Sequence, residues 1–414
     1  MSDKSVKPLS SQNAKPYERV QLFSGGGSRF GYYLGSYAAL VAHDLTPDLI
    51  VGTCGGSLSA YLVNLAPDPK DLQELMCSHE LYRVITAIRH VAPDEADRRL
   101  KIRYLTHALK RWRLSRQMSN RKKQQQADSY ERLLDELQQL AMFRIDNEGQ
   151  WLDELSCFSL KSNKLYNPTA PEIAIIASRL HQTPSQTPNQ TPDHNSADTF
   201  SDKNFKLQEL LFAPPRLAAS EHFDQMLNSP AHAFADGRIH QSVNIVKQWG
   251  FHSAVRASMA DMYYLPPTHI ETLGWCLGGV INLTPIDLAC QLGQTVFAEA
   301  KAGYDTYLAA PAIQHVFGFD PNERLAQVHG YQPTEILSHA DSARTNFPIN
   351  QLHWLPFADN GQQLAGQHVQ KRFNMRQMTV ELIHSDYAGF VQQMQAQWHY
   401  GYQRTANYIQ QQGL

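Results

Sequence analysis

The chain has 414 residues, 42 % of them hydrophobic, with 37 basic against 39 acidic side chains. That apolar content excludes disorder of the whole chain, and a formal charge of −2 argues against a global nucleic-acid binder. No apolar run approaches the ~18 residues a membrane-spanning helix needs, and the polar opening up to Lys15 has no signal-peptide core.

Residues 1–17 read as a disordered, solvated tail, followed by a single domain over 18–414. Residues 20–23 are a short apolar run that stops at Ser24-Gly25-Gly26-Gly27, the pattern of a strand entering a glycine loop. Residues 31–43 then carry Tyr33, Tyr37, Leu40 and Val41 at helical spacing. A second short strand over 48–51 ends at Gly52-Thr53-Cys54-Gly55-Gly56, and residues 57–64 read as the next helix. Strand, helix, strand, helix predicts an α/β fold with a mostly parallel sheet and crossover helices.

Residues 69–155 read as a polar, helical insertion. Between Arg98 and Lys123 it holds eleven Lys or Arg and no acidic residue, so charge is segregated although the total is near neutral. Residues 172–177, with Ile173, Ile175 and Ile176, are the next buried strand. Gln-Thr-Pro recurs at 182, 186 and 190, and this low-complexity stretch predicts a mobile surface loop over about 182–204. Residues 243–293 are again apolar, with Gly278-Gly279 inside them and a helix start after Pro285. In the last hundred residues, Trp354 and residues 378–383 read as sheet neighbours.

The five cysteines (Cys54, Cys77, Cys157, Cys276, Cys290) are scattered, with no C-x-x-C pair. They predict a reducing, cytoplasmic setting, without a disulfide framework or a zinc cluster. Cys54 stands out among them. A nucleophile between Gly52 and Gly56 at a strand-to-helix turn is the elbow of an acyl hydrolase, because the glycines relieve crowding around a strained backbone. At a helix N-terminus the thiol is expected to have a depressed pKa. A small buried residue in a structural turn is the plain alternative. Gly25, Gly26 and Gly27 leave backbone N–H groups to stabilise an oxyanion, with the amide of Gly55 beside them. A phosphate loop is the competitor, but G-x-x-x-x-G-K-[ST] and G-x-G-x-x-G with a following acid are both missing.

Taken together, residues 24–35 and 47–60 resemble the N-terminal half of the patatin-like phospholipases. Residues 256–267 and Gly278-Gly279-Val280-Ile281-Asn282 through Pro285 are similar to that family's stretch around its aspartate. The closing helix around Gly401-Tyr402 resembles it more weakly. The resemblance implies a three-layer α/β/α domain and a lipid acyl hydrolase with a Ser–Asp dyad. It also implies an oxyanion hole from the glycine loop and no metal or organic cofactor. The substrate would be a lipid or acyl ester.

This sequence departs from the pattern at three positions. Cys54 replaces the serine, Leu277 replaces the aspartate before Gly278-Gly279, and Phe30 stands where glycine is usual, with Gly31 one later. A thiol needs less help than a hydroxyl to attack, so acylation of Cys54 survives a missing base better than deacylation does. Two readings follow: a hydrolase or acyl transferase acting through Cys54, or a catalytically inactive member that binds lipid or a protein partner.

A substitute base is not placed by sequence. Asp236-Gly237 comes in the wrong order and reads as a turn. His232, His240, His252, His269 and His384 are candidates by residue type, with surface or structural roles as the alternative. Asp261 and Asp287 lie in the third segment. Ser57 reads as a helix cap rather than a second nucleophile. The run from Arg98 to Lys123, with Tyr104 and Trp112, suits peripheral contact with an anionic membrane, or a solvated basic helix. Oligomeric state has no sequence signal.

Overall fold

A computed structural model describes residues 15–25, 27–91, 130–158, 169–182, 205–219, 228–235, 237–261, 263–304, 306, 309–330, 351–374 and 379–414. The strands β1 (Tyr17–Phe23), β2 (Leu49–Thr53), β5 (Glu172–Gln182), β6 (Phe205–Phe212), β7 (Asn244–Val246), β10 (Gly293–Glu299) and β11 (Gln351–Leu355) build the central sheet. Their spatial order is β11-β10-β1-β2-β5-β6-β7, and a hairpin of β8 (Thr268–Ile270) and β9 (Gly274–Cys276) joins it through β9 and β5. Neighbours on that path are parallel except β5 and β6.

The sheet is buried on both faces because its central strands carry consecutive apolar residues, as in Leu49-Ile50-Val51 and Ile173-Ala174-Ile175-Ile176, and not only alternate ones. Phe23, Ile50, Ile173, Ile175, Phe212 and Phe297 enter one core. Val20, Leu22, Leu49, Val51, Ile176 and Val296 enter the other. Helices therefore cover both sides, and the expected three-layer α/β/α architecture is present. The helix α1 (Gly31–Ala42) follows β1 and α2 (Gly55–Leu65) follows β2.

The insertion contributes α3 (Pro69–Met76), α4 (His79–Thr86) and α5 (Tyr130–Leu140). It is not purely helical: β3 (Ile88–His90) pairs antiparallel with β4 (Phe143–Ile145). After β7 come α6 (Phe251–Met259) and α7 (Ile286–Leu292). A separate hairpin, β12 (Gln370–Asn374) and β13 (Thr379–Ile383), precedes the long α8 (Tyr387–Gln412). Trp354 is on the edge strand β11, in a different sheet from β13, so the two are not neighbours as expected. The tail boundary also shifts: Tyr17 opens β1 and is buried. The basic run from Arg98 to Lys123 and the Gln-Thr-Pro stretch from 183 lie outside the described residues.

α8 crosses α1 at two glycines. A Cβ on Gly35 would sit 2.0 Å from the Trp398 carbonyl oxygen, and one on Gly401 would sit 1.9 Å from that of Tyr32. Gly401→Val must therefore separate two buried helices, and is expected to cost about 3 kcal/mol or more. A denaturation midpoint checks this against Gln403→Ala on the exposed face, which should stay within about 0.5 kcal/mol.

Candidate active site

Cys54 sits between β2 and α2 at φ 51° and ψ −125°, a backbone state that L residues rarely adopt. The glycines on either side permit it. A Cβ on Gly52 would lie 2.8 Å from the Cα of Ser57, and one on Gly56 would lie 1.9 Å from the Phe23 oxygen. Hydrogen bonds hold the turn: the Cys54 N–H donates to Ser258 Oγ at 2.9 Å, and that hydroxyl donates to the Ile176 oxygen at 2.6 Å. Ser57 is buried and donates its hydroxyl to the Cys54 carbonyl at 2.6 Å. It braces the elbow in this way, and does not accept an N–H bond as a helix cap.

The glycine loop packs onto the thiol. A Cβ on Gly25 would be 3.5 Å from Cys54 Sγ, and one on Gly55 would be 2.9 Å from the Gly27 oxygen. Gly27 has a φ of 56°. Gly26 lies outside the described residues. The Gly25 carbonyl accepts from Lys301 Nζ at 2.7 Å. Lys301 in turn pairs with the buried Glu299 at 3.3 Å. Glu299 also accepts from the Tyr32 and Tyr33 hydroxyls at 2.8 and 2.5 Å. Burial pulls the Lys301 pKa down, but the Glu299 carboxylate outweighs it, so the ammonium is held above its ordinary range.

The decisive contact comes from the turn after α6. Cys54 Sγ donates to Asp261 Oδ1 at 3.0 Å. Burial pushes the Asp261 carboxyl up to about 7, opposed by the thiol hydrogen bond and by the Arg256 charge. Arg256 is itself buried, paired with Glu148 at 2.6 Å, and donates to the Pro266 oxygen at 2.8 Å, which ties down the turn that carries Asp261.

Elbow, glycine loop and thiol–carboxylate pair share one cavity of about 460 Å³. Its walls include Leu58, Ile85, Phe143, Leu265, Val280 and Leu382. The sequence model of the patatin-like phospholipases matches residues 22–290. The chain belongs to that family. No curated protein matches it. Among solved structures, it is similar to VipD from Legionella pneumophila at 12 % identity, with a TM-score of 0.34, covering 96 % of this chain and 68 % of that one.

Within this patatin-like domain a carboxylate lies beside Gly278, although Leu277 carries none. Leu277 is buried in the apolar core and its N–H donates to the Ser178 oxygen at 2.9 Å. Gly278, at φ 88°, lies against Asp261: a Cβ there would be 2.4 Å from Oδ1. Gly279 makes the same room for Thr53, whose hydroxyl a Cβ would meet at 2.2 Å. The Gly-Gly pair thus packs closely, but the carboxylate beside it comes from sixteen positions before Leu277.

The expectation for the thiol changes. The Cys54 thiol is pushed up, not down, because burial and the adjacent Asp261 charge both disfavour the thiolate. The helix N-terminus does not overcome them. Gly31, after Phe30, meets the closing helix α8. Gly31 N–H donates to Gln397 Oε1 of α8 at 2.9 Å, and a Cβ there would lie 2.9 Å from the same atom.

The other base candidates are engaged elsewhere. Asp287 pairs with Arg324, and Asp236 lies outside the described residues. His232 bonds with the Ile239 oxygen, His240 with Ser242, and His252 with Tyr61. His269 packs against Trp275. His384 lines the cavity, but its Nε2 bonds with the Ile88 oxygen at 2.9 Å and burial holds it below the ordinary histidine range. Sequence reasoning missed Ser258, Glu299 and Lys301. A charged pair two residues apart at the end of an apolar strand was the available signal for the last two. Among the described residues, no group of three or more His, Cys, Asp or Glu is placed to hold a metal ion. No helix among them is long and apolar enough to cross a membrane.

Proposed function

We propose that this patatin-like protein hydrolyses lipid acyl esters through Cys54 as nucleophile and Asp261 as base. The reading is carried by the 3.0 Å contact between Cys54 Sγ and Asp261 Oδ1 inside a largely apolar cavity. An acyl chain suits the apolar walls, and the ester carbonyl would then meet the sulfur at the glycine loop.

A thiol whose pKa is raised does not attack as a free thiolate, so proton transfer accompanies attack. The Asp261 carboxylate takes the thiol proton as sulfur bonds to the acyl carbon. The loop at Gly25 and Gly27 and the Gly55 amide would face the oxyanion. Collapse breaks the ester C–O bond, and the alcohol leaves with the proton from Asp261. Water then attacks the thioester as Asp261 accepts its proton. The second collapse releases the carboxylic acid and returns the thiol. A primary amine or thiol in place of that water would give acyl transfer.

Intact-mass measurement after incubation with a short activated ester tests the nucleophile. The wild type should gain one acyl mass, Cys54→Ala should gain none, and Asp261→Asn should label slowly and hold its adduct. The depth of Cys54, 3 % exposed, favours the second reading of an inactive lipid-binding member. That reading takes over if neither the wild type nor Cys54→Ala is labelled and vesicle phospholipid yields no free acid.

A further inference from the structure

The turn that carries Asp261 is gripped by the insertion. Tyr263, two positions on, has a φ of 55° and is 5 % exposed. A bulky side chain rarely takes that backbone state, and the state persists only where the surroundings enforce it. Here the surroundings come from residues 136–148, more than a hundred positions earlier in the chain. The Met142 and Phe143 N–H groups donate to the Tyr263 and Tyr264 carbonyls, each at 2.8 Å. The Tyr263 hydroxyl donates to Glu136 of α5. Glu148, just beyond β4, pairs with Arg256 of α6 at 2.6 Å and accepts from the Thr268 hydroxyl at 3.2 Å.

Glu136 is itself held in place. His315, buried on the helix Ala309–Phe317, bonds to the same Oε1 through its Nε2 at 3.1 Å. Burial raises the Glu136 carboxyl, but the bonds from His315 and Tyr263 outweigh it and keep it below its ordinary value. Leu133 and Leu137 seat α5 in the same apolar core as the Tyr263 ring. Within the turn, the Asp261 carbonyl accepts from the Tyr264 and Leu265 N–H groups at 3.0 and 3.1 Å. The anchored turn presents Asp261 Oδ1 to Cys54 Sγ at 3.0 Å. Tyr264 and Leu265 line the cavity, whereas Tyr263 and Glu136 are not among its described lining residues.

We infer that Tyr263 and Glu136 are positioning residues, whose hydrogen bond ties the base-bearing turn to the insertion and so sets the Asp261 carboxylate on the Cys54 thiol. The inference rests on the reading of Asp261 as base and adds what places it. The tether acts on position and not on substrate, since neither group lies on the cavity wall. An aromatic residue held in the left-handed region relaxes once its hydroxyl is freed. A thiol bond of 3.0 Å is lost when the turn shifts by about 1 Å.

The test uses the full chain and a short soluble ester. Tyr263→Phe removes one oxygen and keeps the buried ring. It should lower kcat about tenfold or more, with KM within about twofold of wild type. Glu136→Gln keeps an acceptor oxygen for the hydroxyl and should retain kcat within about threefold, whereas Glu136→Ala should match Tyr263→Phe. The double variant Tyr263→Phe with Glu136→Ala should be no slower than either alone, because both remove the same bond. The wild-type rate should rise with a midpoint near the value of about 7 to which burial pushes Asp261. A loosened turn admits water, so that midpoint should fall in Tyr263→Phe. A purely structural role lowers the folded fraction and leaves the midpoint in place. If Tyr263→Phe does not fold, Glu136→Gln against Glu136→Ala decides. Unchanged kcat in Tyr263→Phe, a lower kcat at an unmoved midpoint, equal losses in Glu136→Gln and Glu136→Ala, or additive losses in the double variant would each overturn the positioning role. An effect on KM alone would overturn it too. If Asp261→Asn is as fast as wild type, or the wild type leaves the ester intact, the base reading itself fails and takes this inference with it.

Discussion

Asp261→Asn is expected to lower ester hydrolysis by about 10³-fold or more, because a buried thiol with a raised pKa has no other carboxylate bonded to it. The wild-type rate should climb as pH rises through about 7, the value to which burial pushes the Asp261 carboxyl, since only the carboxylate can take the thiol proton. Stability should move the other way. A carboxyl whose pKa is raised on folding favours its protonated form in the folded chain. Its stabilising contribution is therefore complete below the ordinary carboxyl range and is lost as pH climbs to about 7. Asparagine keeps an oxygen for the thiol and has no charge to bury. The variant should thus be more stable than wild type at pH 8, by on the order of 3 kcal/mol, with the difference shrinking toward pH 4. Denaturant titrations at the two pH values, alongside rates, separate a lost base from a lost fold. Activity within tenfold of wild type would exclude Asp261 as the base.

Lys301→Met should lower kcat by roughly 10–100-fold with little change in KM. Lys301 is a positioning residue in this reading: it holds the Gly25 carbonyl at 2.7 Å and so fixes the loop that lies on Cys54. The substitution also leaves Glu299 buried without its cation, which should cost about 3 kcal/mol or more. Tyr32, Tyr33 and Asn360 still donate to that carboxylate. Adding Glu299→Gln removes the stranded charge, so the double variant should regain stability but not kcat. Recovery of both together would show that the pair only supports the fold, and a KM effect alone would place Lys301 in substrate binding.

Sequence spacing was enough to locate the elbow, the glycine loop and the order of the first strands and helices, and the resemblance of their motifs pointed to the family. Most of these features lie close together in the chain: Gly52 and Gly56 are needed because backbone atoms of Ser57 and Phe23 occupy the space a Cβ would take. The same local logic failed for the thiol's acidity, which depends on a carboxylate more than two hundred residues away in sequence. It failed for the end of the chain too, where strand patterns do not say which sheet a strand joins.

The amino-acid sequence by itself determined a mostly parallel α/β scaffold with Cys54 on its strand-to-helix elbow, because periodicity and glycine spacing act over a few residues. Only the tertiary structure decided that Asp261 supplies the carboxylate beside Gly278 and that Lys301 fastens the glycine loop. It alone also showed that the late hairpin rims the cavity. Each of these depends on which distant side chains the crossovers bring within hydrogen-bond reach, and on the burial that sets their charge. Neither is written in the spacing of neighbouring residues.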